Sequence, residues 1–291
     1  DQNPDAQPRS RRVEPARFAR RMLPACFRCA STAPPAATLL AHAPLFALPA
    51  QSSHKPEQFQ TLADVLARDR RSDRLAHLHA PSGRSYDYRR FLTTAWKSGL
   101  FFRNEGVRGG MAVAIAGDPI PETVLSFLGA GLLGATVEFE PDTLSEGTKA
   151  LVAPTGRIRE FDTGPGTRLV GYGAEPDDPS VSYWERDVWS ENPTLPPDRV
   201  APEDPLLRTD GATYGHADLL EAATAVATEY GLDADDEVVI RTPLTDAGTV
   251  VGLLVPLVAG ATLVVSDGET TGTLGIGDGP DDATMLPADI W

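Results

Sequence analysis

Residues 237–265, EVVIRTPLTDAGTVVGLLVPLVAGATLVV, and residues 111–139, MAVAIAGDPIPETVLSFLGAGLLGATVEF, carry one pattern written twice. Each opens with an apolar run of strand length, crosses a polar turn and enters an apolar helical stretch. Each then returns through Gly-Ala-Thr to a second apolar run. At an offset of 126 the two align without a gap, and Val113, Thr123, Val124, Leu128, Gly134, Ala135 and Thr136 fall on Val239, Thr249, Val250, Leu254, Gly260, Ala261 and Thr262. A strand, a helix and a strand joined by short turns make a βαβ unit, which requires parallel pairing.

The duplication extends upstream. Tyr86 to Asn104 and Ala217 to Tyr230 read as helices, ended by Gly106 and Gly231. Before them, Ser82-Gly83-Arg84-Ser85-Tyr86 falls on Asp210-Gly211-Ala212-Thr213-Tyr214 at an offset of 128, with tight-turn chemistry in both. The expected architecture is α/β: two related βαβ halves, 58–140 and 206–291, with largely parallel sheets covered by helices. Between them, 141–205 is loop-rich and punctuated by proline, with room for one or two strands and the turn Thr163-Gly164-Pro165-Gly166-Thr167.

Composition narrows the functional class. The 291 residues carry a net charge of −15, which disfavours binding to nucleic acid or to an anionic membrane surface. No apolar run approaches the roughly 18 residues that span a bilayer. Among 26 basic residues only Lys55, Lys97 and Lys149 are lysines. An acidic chain built on arginine resembles the proteins of extreme halophiles, and high-GC codon usage is the competing explanation for the arginine. A cytoplasmic location is expected. Residues 1–57 invert the charge balance, with eight basic groups against four acidic ones, and read as a disordered or artefactual extension. Cys26 and Cys29 lie there at half of a zinc-site spacing, with His42 and His54 at irregular distances, so no metal site is assigned.

The order of elements resembles the amino-terminal domain of the adenylate-forming superfamily, the acyl-CoA synthetases, peptide-synthetase adenylation domains and luciferases. The residues that carry the resemblance are Thr61 to Leu66, Gly83 to Tyr86, Gly106 to Val113, Phe127 to Ala135 and Leu254 to Ala261. It implies a carboxylate-activating, ATP-using ancestry and a phosphate loop rich in Ser, Thr, Gly and Lys. The matching place here, Leu206 to Ala217, has no lysine and two glycines. Thr209, Asp210, Gly211 and Thr213 occupy that degenerate position, where Asp210 would repel a triphosphate. The resemblance therefore implies a truncated, non-catalytic AMP-binding-like protein that binds a partner or small ligand. ATP or AMP becomes its cofactor only in the alternative reading, a ligase with an altered loop. A structural module that dimerises through the apolar helices around Leu125 or Leu253 is the third reading.

The remaining chemistry is sparse. Asp267 to Gly279 is rich in Gly and Thr but has no cation of its own and reads as a surface loop. His77 and His79, with Asp73 nearby, read as outward-facing residues on a half-exposed strand. His216 marks a helix start beside a Gly215 cap. Trp184 and Trp189 read as a hydrophobic anchor, and Ser126 and Ser145 lack the context of a nucleophile elbow.

Overall fold

Both copies of the βαβ pattern fold by the same local device. In a computed structural model of the chain, Pro121–Gly131 and Ala247–Ala259 are helices whose trailing glycines, Gly134 and Gly260, adopt left-handed φ of +71° and +78°. Each turn sends the next alanine's N–H back five residues, Ala135 to the Ala130 carbonyl and Ala261 to the Pro256 carbonyl. That bond closes the helix and aims the chain into its next strand. The structure describes residues 59–209, 211–266 and 268–290, all within the unit His54–Trp291. The expectations for residues 1–57, Cys26 and Cys29 included, fall outside the described residues.

In chain order the elements are α1 (Leu62–Val65), β1 (Leu75–His79), β2 (Arg84–Asp87), α2 (Tyr88–Asn104), β3 (Ala112–Ile115), α3 (Pro121–Gly131), β4 (Thr136–Phe139), β5 (Thr148–Pro154), β6 (Arg168–Tyr172) and β7 (Val181–Tyr183). There follow α4 (Trp184–Ser190), β8 (Pro205–Arg208), β9 (Thr213–Gly215), α5 (His216–Glu229), β10 (Glu237–Ile240), α6 (Ala247–Ala259), β11 (Thr262–Val265), β12 (Leu274–Ile276) and β13 (Ala283–Met285). One sheet runs β13-β12-β10-β11-β1-β2 and the other β7-β6-β5-β3-β4-β8-β9. Pairing is parallel throughout except within the hairpins β1–β2 and β8–β9, so the fold is the expected α/β.

The tertiary structure adds an exchange between the halves. Hairpin β1–β2 opens the first half yet pairs with β11 of the second, His77 opposite Leu263. Hairpin β8–β9 opens the second half yet pairs with β4 of the first, Val137 opposite Leu207. Each half thus completes the other's sheet. The segment 141–205 contributes three strands, β5, β6 and β7, where the sequence suggested one or two. Its Lys149-to-Pro154 run is short and its later strands are separated by proline-rich turns, which hides the period.

Helices α2 and α3 pack closely enough that a Cβ on Gly129 would lie 2.6 Å from Ser98 Oγ and 2.7 Å from the Gly99 nitrogen. Helix α6 packs against α5, and nearly all its residues are buried. Leu125 and Leu253 belong to this core, at 0% and 1% exposure. The expectation of dimerisation through those two residues is therefore corrected: their apolar faces are already covered by the chain's own sheets and helices.

Every ion pair found among the described residues is made by arginine, mostly at half-exposed positions. Such pairs contribute little individually, whereas self-repulsion of a −15 chain is long-ranged. Raising KCl from about 0.1 to 1 M shortens the Debye length from about 10 to 3 Å. The thermal midpoint should rise across that range, about 2–4 °C for each kcal/mol recovered. A flat or falling midpoint would remove the salt-adapted reading of the composition.

Candidate functional site

The carboxyl ends of the central strands of both sheets converge on one cleft, the place where open α/β sheets ordinarily bind ligands. Its larger part is a cavity of about 580 Å³ between the residues following β1, β3, β4, β10 and β11. A second, more polar recess of about 470 Å³ adjoins it, sharing Phe139, Glu140, Leu244 and Thr245. Proline and aliphatic side chains, including Pro119, Ile120, Ile240 and Pro243, form most of the first wall.

The polar recess is where the phosphate-loop position of the sequence lies. Arg208 ends β8 and Thr209 begins the turn, and both line the recess. The turn is a tight hairpin, as the sequence predicted: the Thr209 N–H donates to the Ala212 carbonyl at 2.9 Å, and Arg208 pairs with Thr213 across β8–β9. Thr213 is exposed at the start of β9, Gly211 faces open space, and Asp210 lies outside the described residues.

The cation nearest the turn is already committed. Arg208 Nη1 donates to Glu138 Oε1 at 2.6 Å, and the Ser145 hydroxyl bridges both oxygens of the same carboxylate at 2.6 and 2.7 Å. Glu138 is 7% exposed and Arg208 half-exposed, so a buried carboxylate is matched by a guanidinium that reaches in from the rim. Glu140 and Asp142 add two more carboxylates to the recess. A triphosphate needs unoccupied N–H donors and uncompensated cations. At the turn itself the Thr209 N–H is taken by Ala212 and Arg208 Nη1 by Glu138, so the loop position does not offer a triphosphate the donor cradle it needs.

Glu140 is the feature sequence reasoning missed. It is the one described non-glycine residue with positive φ, +44°. Its carboxylate is held by Arg157 through bonds of 2.9 and 3.1 Å and accepts a close bond from the Gly117 N–H. The Arg157 bonds hold the Glu140 carboxyl below its ordinary range. Beside it, the Tyr172 hydroxyl donates to the Ala116 carbonyl at 2.8 Å and burial pushes its ionisation up. A Cβ on Gly117, whose φ is +116°, would collide with that hydroxyl. Strain of this kind persists where surrounding structure over-determines it, and it clusters at ligand sites. Only the Glu140-Pro141 step at a strand end hinted at it.

Three other expectations need adjustment. His77 is fully buried, not outward-facing: its ring sits 5.5 Å from Phe91 and 6.1 Å from Tyr86, and its Nδ1 bonds the Leu263 carbonyl at 3.3 Å. His79 does face the cleft, with Nδ1 at 2.6 Å from Ser82 Oγ. The Gly/Thr-rich stretch is a loop only in part, because Leu274–Ile276 form the buried strand β12 inside a sheet. Of the tryptophan pair, Trp184 is buried and donates to Ser126 Oγ at 2.9 Å, while Trp189 is 65% exposed. His216 begins α5 after Gly215, as expected. No group of three or more metal-ligating side chains occurs among the described residues, and no helix there is long and apolar enough to cross a membrane.

No protein-family profile and no curated protein matches the sequence. Solved structures do match in fold. The chain is similar to the anthranilate CoA ligase AuaEII in complex with anthranoyl-AMP, with a TM-score of 0.64 and 19% identity over 76% of this chain and 50% of that one. It is similar to the N-terminal domain of FACL13 from Mycobacterium tuberculosis, with a TM-score of 0.60 and 16% identity over 72% and 57%. The nonribosomal peptide synthetase FmoA3 gives 0.59 and 18% over 70% and 22%. The fold is therefore that of the amino-terminal domain of adenylate-forming ligases, and the chain spans at most somewhat over half the length of these proteins.

Proposed function

We propose that this chain is a relative of the adenylate-forming ligases that binds a small ligand or a partner in the inter-sheet cleft, in the cytoplasm, without itself forming acyl-adenylates. One observation carries the reading: the turn at the phosphate-loop position spends its Thr209 N–H on Ala212, and its neighbouring cation, Arg208, is neutralised by Glu138. Charge developing on an α-phosphate would meet a guanidinium already paired with Glu138, and beside it the carboxylate of Asp142, whereas oriented free donors are usually the largest single contribution in such chemistry. The cleft retains volume and an apolar wall, which suits binding without turnover.

The test is pyrophosphate exchange with fatty, aryl and amino acids, with Mg²⁺ and molar KCl, alongside calorimetric titration with ATP and AMP. Exchange should stay at background and nucleotide heats should be absent. Robust exchange with any one acid, abolished by Thr209→Ala or Thr213→Ala, would overturn the proposal and establish a ligase with an altered phosphate loop.

A further inference from the structure

Among the described residues lining the inter-sheet cleft, the unpaired charges are of one sign. The arginines there are Arg241 in the larger cavity and Arg208 in the polar recess, and each is paired, with Asp281 and with Glu138. The Glu140 carboxylate, which both parts share, is held by Arg157. Asp118 and Asp142 remain. Both are exposed, and neither carboxylate makes a hydrogen bond or an ion pair among the described residues. With each pair counted as neutral, the cleft is left with an excess of negative charge.

Asp118 is the carboxylate that meets the apolar part. It lines the cavity of about 580 Å³ and directly precedes Pro119 and Ile120 of the wall. Its backbone carbonyl accepts the Ile120 N–H and the Thr123 hydroxyl, both at 2.7 Å, which fixes the turn between β3 and α3 that carries it. A carboxylate ligand would bring a second negative charge to a place with no free arginine, and desolvating it unpaired is costly. An ammonium would gain a partner in Asp118, while its apolar body took proline and aliphatic surface out of water.

On the premise that the cleft binds a small ligand without turnover, we propose that this ligand is an apolar-bodied primary amine. Its ammonium meets Asp118 and its hydrocarbon lies along the proline and aliphatic wall. Because Asp118 is exposed, the charge contributes a few-fold in affinity and the apolar body the larger part.

Calorimetric titration of the full chain with phenethylamine, 2-phenylethanol, phenylacetate and ethylamine separates these contributions. It is run at the lowest KCl concentration at which thermal melting shows a folded chain. Phenethylamine should bind with a Kd of about 1 mM or tighter. The neutral alcohol should bind about threefold more weakly. Phenylacetate, repelled by Asp118, and ethylamine, which lacks the ring, should each lose about tenfold or more. Asp118→Asn keeps the backbone turn, so its melting midpoint should match that of the wild type. It should lose about threefold for the amine and nothing for the alcohol. The alcohol or phenylacetate binding as well as phenethylamine would overturn the amine assignment and leave ligand binding in the cleft standing. An amine affinity unchanged in folded Asp118→Asn would remove the partner carboxylate and overturn it too. Silence from all four compounds would overturn both the amine and the ligand-binding reading, while pyrophosphate exchange decides the absence of turnover separately.

Discussion

Acidification from pH 6.5 to 4 should cost this protein about 3 kcal/mol for each of two buried histidines. Burial lowers both His77 and His216 to about 4 from their ordinary 6.5, and a bond to the Leu263 carbonyl only partly offsets this at His77. Because the folded pKa is depressed, the unfolded chain takes up protons first. The stabilisation is complete above pH 6.5, declines as pH falls and is fully lost below about 4. Two such groups remove a large share of the 5–15 kcal/mol typical of a folded domain.

Geometry explains why neither ring tolerates a second proton. His216 Nδ1 accepts the Leu62 N–H at 3.2 Å, which ties α1 to the start of α5, so its proton sits on Nε2. That Nε2, like His77 Nε2, is buried without a partner. Protonating His216 would break the Leu62 bond and strand a charge in the core. The check is denaturant unfolding as a function of pH in the wild type and in His216→Asn, whose side-chain oxygen can still accept from Leu62. The variant should lose about half of the acid dependence. An unchanged wild-type stability between pH 6.5 and 4 would refute the assignment.

Breaking the Arg241–Asp281 pair should cost about 3–5 kcal/mol, because removal of one partner leaves an unmatched charge in the interior. The two side chains are 8% and 0% exposed. Arg241 follows β10 and makes two bonds to the Asp281 carboxylate, one of them 3.0 Å long, while donating to the carbonyls of Thr270 and Gly268. Asp281 in turn accepts the Gly272 N–H at 2.9 Å. Together they fasten the Gly/Thr-rich stretch and hold β12 and β13 on the sheet edge. Asp281→Ala and Arg241→Met should each destabilise strongly and expose that stretch to thermolysin. The double variant should cost less than the two single effects combined, since both abolish one interaction. Single-variant losses below about 1 kcal/mol would show that the pair is not a structural clasp.

The same pair marks where sequence reading stopped. Asp267 to Gly279 contains no cation, and its composition read as a loop. The cation that orders it comes from Arg241, at the end of another strand, and no local pattern links the two. His77 failed for a related reason: alternation with His79 identified a strand, but which face meets Phe91 depends on how the hairpin docks. Glu140 gave little beyond the step to Pro141, because its left-handed backbone is held by Arg157 and Gly117 from neighbouring loops.

The sequence by itself determined the strand–helix–strand units, the glycines that end α3 and α6, the tight turn at Thr209 to Ala212 and the absence of lysine from Leu206 to Ala217. These follow from side-chain periodicity and turn chemistry, which act within about one helix or hairpin of chain. Only the tertiary structure decided that each half lends its hairpin to the other's sheet, that Arg208 pairs with Glu138, and that Arg241 clasps Asp281. Strand partners and buried charge pairs depend on groups tens to hundreds of residues apart, whose meeting is set by how apolar faces are covered and by no pattern in either segment alone.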